Sequence, residues 1–175
     1  AAQYNSDELN YWTMFFANHN IRERGTVSIT SAGYATYYND YGYTLPEGLS
    51  AYQVYTVSDG TASMVKEYVG GEDVCPGYAL VLKGDKGNYD IILMASGGAT
   101  NDERNLSRNC LKGTQTQQMI AAEAGYVYYQ FANDDTDGLG WYWGADDGAA
   151  FTNGAHRAYL PVAKTASLAR ALGFD

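Results

Sequence analysis

Some nine short runs of strand-forming residues, parted by tight turn clusters, limit this chain's fold more than any other feature. Thr26-Val27-Ser28-Ile29-Thr30 alternates, which sets Val27 and Ile29 on one face of a strand. Tyr34 to Tyr38 follows, then turn clusters at Asn39-Asp40 with Gly42 and at Leu45-Pro46-Glu47-Gly48. Tyr52 to Val57 runs into Ser58-Asp59-Gly60, and an Asp-Gly pair there predicts a hairpin with Ala62–Val69 as its second strand. Tyr78-Ala79-Leu80-Val81-Leu82 is almost continuously apolar, the pattern of a strand buried on both faces. Further strands are expected at Tyr89–Met94, Tyr126–Phe131, Leu139–Trp143 and Ala158–Val162. Ser96 to Asn109 reads as a long surface loop, and Gln117 to Ala124 as two helical turns stopped by Gly125. This grammar predicts an all-β domain, an antiparallel β-sandwich or barrel.

The first twenty residues differ. Ser6-Asp7-Glu8 precedes apolar residues at Leu9, Trp12, Phe15 and Phe16, a helical spacing behind a capping signal. Residues 1–20 therefore read as a short N-terminal helix or aromatic linker, and residues 21–175 as a single β domain. A chain of 175 residues can bury about 70% of the surface its unfolded form exposes.

Charge and composition exclude several classes. Twenty acidic groups against 11 basic ones leave a net charge of -9, the wrong sign for a phosphate backbone, so no nucleic-acid partner is expected. No run of 18 apolar residues occurs, so no membrane insertion is expected. The start, Ala1-Ala2-Gln3, does not read as a signal peptide, as expected of an excised mature domain. Cys75 and Cys110 fit no zinc spacing. They allow one disulfide, closing a loop of about 36 residues and worth about 3.5–4 kcal/mol in the chain-entropy picture. Two buried free thiols acting as small hydrophobes are the other reading.

Little in the sequence marks a reaction. No G-x-S-x-G or phosphate-cradling glycine loop is present, and nothing singles out two of the acids as a glycosidase pair. A Cys110–His156 dyad is conceivable from chain order alone, whereas His156 packed beside the last strand is the simpler reading, with His19 at the surface. Asn133, Asp135 and Asp137, followed by Gly138, match the first half of a calcium loop. Its twelfth position would be Gly144, which supplies no carboxylate, and a polar hairpin turn explains the same residues. No other cofactor is expected.

Binding has more support. Sugars stack their C–H faces on aromatic rings, and this chain has 17 tyrosines and 3 tryptophans. Tyr37, Tyr38, Tyr41 and Tyr43 surround the Asn39-Asp40 turn, and Trp141 shares one side of a strand with Trp143. With Trp12 they form the candidate aromatic platform. Tyrosine is also a strand former that lines half-buried sheet faces, and it is favoured at protein interfaces.

Four ordered motifs over about residues 25–162 carry a resemblance. Gly33-Tyr34-Ala35-Thr36 with Leu45-Pro46-Glu47-Gly48 and Ala51-Tyr52 comes first, then Cys75 through Gly84. Asn109-Cys110-Leu111-Lys112-Gly113-Thr114 is the third, and Gly140 through Ala145 with Gly154 through Leu160 the fourth. Together they resemble an accessory β-domain family found near the C-termini of secreted and surface proteins of Bacteroidetes. Its hosts include leucine-rich-repeat adhesins, peptidases and polysaccharide-degrading enzymes. The resemblance implies a non-catalytic, extracellular or cell-surface accessory module. With the aromatic content, the leading expectation is glycan binding or surface attachment, to a polysaccharide or a host or self surface protein, and a protein–protein or peptidase-associated module is a first alternative. A structural spacer with no ligand is the remaining alternative. The two cysteines stand where this resemblance leads one to expect aliphatic residues.

Overall fold

The computed structural model of the chain describes residues 24–94, 106–164 and 169–175. Expectations for residues 1–20, with Trp12 and His19, and for most of the Ser96–Asn109 loop lie outside the described residues. The first half supplies β1 (Arg24–Ile29), β2 (Tyr34–Tyr37), β3 (Tyr43–Thr44), β4 (Ser50–Ser58), β5 (Thr61–Val69), β6 (Asp73–Val74), β7 (Leu80–Lys83) and β8 (Gly87–Leu93). The second supplies β9 (Lys112–Thr114), β10 (Gln118–Ile120), β11 (Tyr126–Asp134), β12 (Gly138–Trp143), β13 (Phe151–Asn153), β14 (Arg157–Ala163) and β15 (Ala171–Phe174).

Local chemistry explains the hairpins. Asp59 and Gly60 both take positive φ, 49° and 75°. This is the left-handed pair of a type I′ turn, whose twist suits antiparallel strands, and it joins β4 to β5.

The strands form a nine-stranded sheet in the order β2-β7-β4-β5-β15-β12-β11-β14-β9, a four-stranded sheet β1-β8-β3-β6 and a small ladder β10-β13. The large sheet curls until β2 meets β14. There the Ala158 amide donates to the Thr36 hydroxyl at 3.2 Å and the Tyr38 amide to the His156 carbonyl at 3.3 Å. The result is a nearly closed barrel, with the four-stranded sheet packed against one side. One ladder departs from the antiparallel expectation: β15 runs parallel to β5, with Gly173 opposite Thr61 and Phe174 opposite Ala62. β15 is antiparallel to its other neighbour, β12. Because β5 and β12 point in opposite directions, any strand between them must be parallel to one.

Two apolar cores result, and β7 separates them. Leu80 and Leu82 face the core shared with the four-stranded sheet, while Ala79 and Val81 face the barrel interior. All four are buried to 2% exposure or less, as the continuous apolar run requires. The barrel interior centres on Trp141, Tyr129 and Leu160, with Val54 and Ala62 closing it from β4 and β5.

Two expectations need correcting. The segment read as two helical turns contains strand β10, paired with β13 so that Met119 lies opposite Thr152. Ala121, Ala122, Glu123 and Ala124 are exposed. A helix there would have no core to pack on, and an isolated short helix is unstable in water. The disulfide is absent as well: Cys75 and Cys110 both stand as thiols outside any disulfide. Cys75 is buried directly after β6 in the four-stranded sheet, whereas Cys110 packs on the barrel core with its thiol 3.4 Å from the Tyr55 carbonyl. Cys75 thus follows the edge strand of the four-stranded sheet while Cys110 packs on the barrel, and the two are not bonded. Burial pushes the Cys110 thiol up, against a smaller opposite effect of Lys112. The expected result of thiol titration is slow modification of Cys110 in the folded protein and of Cys75 only after unfolding. Intact mass should show both thiols reduced; a species lighter by two hydrogens would contradict this.

Candidate functional site

The aromatic cluster around Asn39-Asp40 does not form one exposed surface. Tyr37 and Tyr43 are 3% and 0% exposed and meet edge to face at 5.1 Å. The turn itself is drawn inward: Asn39 is buried, its amide donating to the Tyr37 hydroxyl at 3.0 Å and its Oδ1 accepting from the Tyr41 amide at 2.9 Å. His156 stacks on the Tyr37 ring with centroids 5.9 Å apart, and its Nδ1 lies 3.2 Å from the Tyr38 carbonyl. His156 thus packs at the start of β14, while Cys110 lines a cleft of about 680 Å³ with Tyr55 and Leu172. The structure does not bring the two together as a dyad.

The remaining candidates scatter. Trp141 is fully buried in the barrel, edge-on to Phe131 at 4.9 Å. Tyr41 is exposed, and Trp12 lies outside the described residues. Asn133, Asp135 and Asp137 sit at the exposed tip of the β11–β12 hairpin. Asp134 organises that tip by accepting from the Thr136 and Asp137 amides at 2.8 and 3.1 Å, which holds its carboxyl below the usual range. Among the described residues, no three His, Cys, Asp or Glu side chains group as metal ligands. These residues therefore make a polar turn.

Of the aromatic candidates, Tyr38 lines a concave site. Tyr159 on β14 stands directly opposite Lys112 on β9. A cleft lies on each side of this pair. One, of about 410 Å³, is lined by Tyr38, Tyr78 and the backbone-facing Gly113. The other, of about 390 Å³, is lined by Tyr126, Tyr128, Glu123 and Ile120. Lys112 and Tyr159 line both, so the two clefts adjoin at this pair, and five tyrosines line one or the other.

Strand alternation builds this groove. Ala158 and Leu160 point into the barrel, which turns Tyr159 outward. Gly113 lets Tyr38 lie directly on the β9 backbone, since a Cβ there would fall 2.2 Å from the Tyr38 Cγ. Asn109 fixes the rim by donating to the Ala79 carbonyl at 2.7 Å and accepting from the Leu111 amide at 3.1 Å. The Tyr38 hydroxyl donates to Asp40 at 2.7 Å. That bond, then burial, pushes the phenol up to about 12. Burial also raises Tyr128 and Tyr159, with Glu123 adding to both. The Tyr38, Tyr128 and Tyr159 phenols therefore stay neutral at neutral pH, and Lys112 and Glu123 stand beside them in the lining.

The alternation that exposes Tyr159 was readable in the sequence. The adjacency of β9, β14 and the segment around Glu123 was not, because it is set by pairing between distant segments. No protein-family model matches the chain, and no curated protein or solved structure matches it either.

Proposed function

We propose that this chain is a non-catalytic, extracellular accessory module that binds an oligosaccharide along the tyrosine groove over β9 and β14. The observation that carries the reading is the presence of two tyrosine-lined clefts that share the Lys112–Tyr159 pair. Ring faces of Tyr159 and its neighbours suit sugar C–H surfaces, and phenol, ammonium and carboxylate groups suit sugar hydroxyls. Each cleft lies in the ordinary size range of small-ligand sites, and two clefts meeting at one shared pair favour a chain of sugars over a single unit. The net charge of -9 favours a neutral polymer over a polyanion. The motif resemblance supports a place outside the cell and within a larger polypeptide.

Affinity electrophoresis against a panel of neutral and acidic polysaccharides tests the reading. Retardation by at least one neutral polymer is expected, unchanged by chelator. Tyr159→Ala should weaken it about tenfold or more, the loss expected of a central aromatic contact. Tyr41→Ala, at an exposed tyrosine outside the groove lining, should leave it unchanged. No retardation by any polymer would overturn the proposal.

A further inference from the structure

The strand β15 occupies a position unlike any other in the barrel. In the sheet order, β2, β7, β4 and β5 come from the first half of the chain, and β12, β11, β14 and β9 from the second. β15 alone stands between β5 and β12 and bonds to both. Its insertion is short: Trp141 and Tyr142 pair with Leu172 and Ala171 on one edge, and Thr61 and Ala62 with Gly173 and Phe174 on the other.

The slot is nevertheless specific. Leu172 is 2% exposed within the barrel core. Phe174 meets Tyr34 at 5.5 Å and Phe131 at 5.2 Å, both edge to face. Vacating the slot would open two strand edges at once and uncover apolar residues of the barrel, an arrangement that attracts an extended chain. The matching occupant, an apolar residue, a glycine and a second apolar residue in extended form, is carried by every copy of this chain. We infer that the β5–β12 slot is an acceptor site for the Ala171–Phe174 strand of a second copy, and that reciprocal exchange of this strand joins two chains. Exchange would use the same hydrogen bonds and the same side-chain contacts as the closed monomer, so it needs no new interface. A reciprocal swap is also closed and two-fold, which limits it to a dimer.

Cross-linking at the β12 edge tests this. The Trp143 amide donates to the Arg170 carbonyl at 3.1 Å, so the next pair, Tyr142 opposite Ala171, is a non-hydrogen-bonded one. Such pairs have the close spacing a disulfide requires. Full chains are prepared with Cys75→Ala and Cys110→Ala, one carrying Tyr142→Cys and the other Ala171→Cys. They are unfolded, mixed, refolded together at rising concentration and oxidised. A mixed disulfide dimer is expected, its fraction rising about tenfold per tenfold increase in concentration at low conversion, as mass action requires. A chain with both substitutions should close internally at low concentration, which verifies the geometry. If that chain closes and the mixed pair yields no dimer, the inference fails. The unsubstituted chain is an independent arm: after refolding at high concentration it should contain a dimer that persists on dilution. A monomer at every concentration overturns the inference whatever the variants do.

Discussion

Replacing Trp141 with alanine is expected to cost about 3–5 kcal/mol, the range for emptying a buried aromatic site. The indole is 0% exposed, stands against Phe131 at 4.9 Å and pairs across the ladder with Leu172. Both halves of the barrel and the inserted strand converge on it, so the neighbours have little freedom to collapse into the space. For a domain of this size the loss corresponds to a fall in melting temperature of about 6–20 °C. Denaturant titration checks it through the midpoint, and Trp141→Phe should lose much less. The outcome also discriminates between two roles for this residue. An unchanged midpoint with lost polysaccharide retardation would make Trp141 a surface platform, against its burial.

The second large effect is expected at Gly113, where the fold and the groove meet. A Cβ added there would lie 2.2 Å from Tyr38 Cγ, 2.3 Å from Cδ2 and 2.4 Å from Cβ. The collision involves the root of the side chain, so rotating the phenol away cannot relieve it. Gly113→Ala should therefore cost about 1–3 kcal/mol as overpacking strain and displace Tyr38 from the groove. Binding should fall together with stability. Tyr38→Gly in the same chain removes all three clashing atoms. The double variant should recover part of the lost stability, a coupling that a double-mutant cycle reads directly, without recovering polysaccharide retardation. Additive losses would mean that Tyr38 does not rest on the β9 backbone. Recovery of binding without the ring would mean that Tyr38 takes no part in it.

Much of the architecture follows from local pattern. The Asp59-Gly60 turn, the inward Val27 and Ile29 and the two-faced burial of β7 are all properties of neighbouring residues. The misread segment after Gln117 and the unrecognised short strands β3, β6, β9, β13 and β15 share one cause. Each has two to four residues, too few for a period to emerge, and each is ordered by a partner far away in the chain. The tyrosines around Asn39 show the same limit at the level of function. Their spacing marks an aromatic cluster, while the inward hydrogen bonds of Asn39 send Tyr37 and Tyr43 into the core and leave Tyr41 outside.

The amino-acid sequence by itself determined an all-β chain, its main hairpins and the alternation that turns Tyr159 outward, because strand period and turn chemistry act between near neighbours. Only the tertiary structure decided that the sheet curls into a nearly closed barrel, that Cys75 and Cys110 stay apart and that β15 enters between the two halves. It also decided which tyrosines share a groove. Those outcomes depend on strand order and on which faces meet, and such long-range pairings leave no mark in any short stretch of sequence.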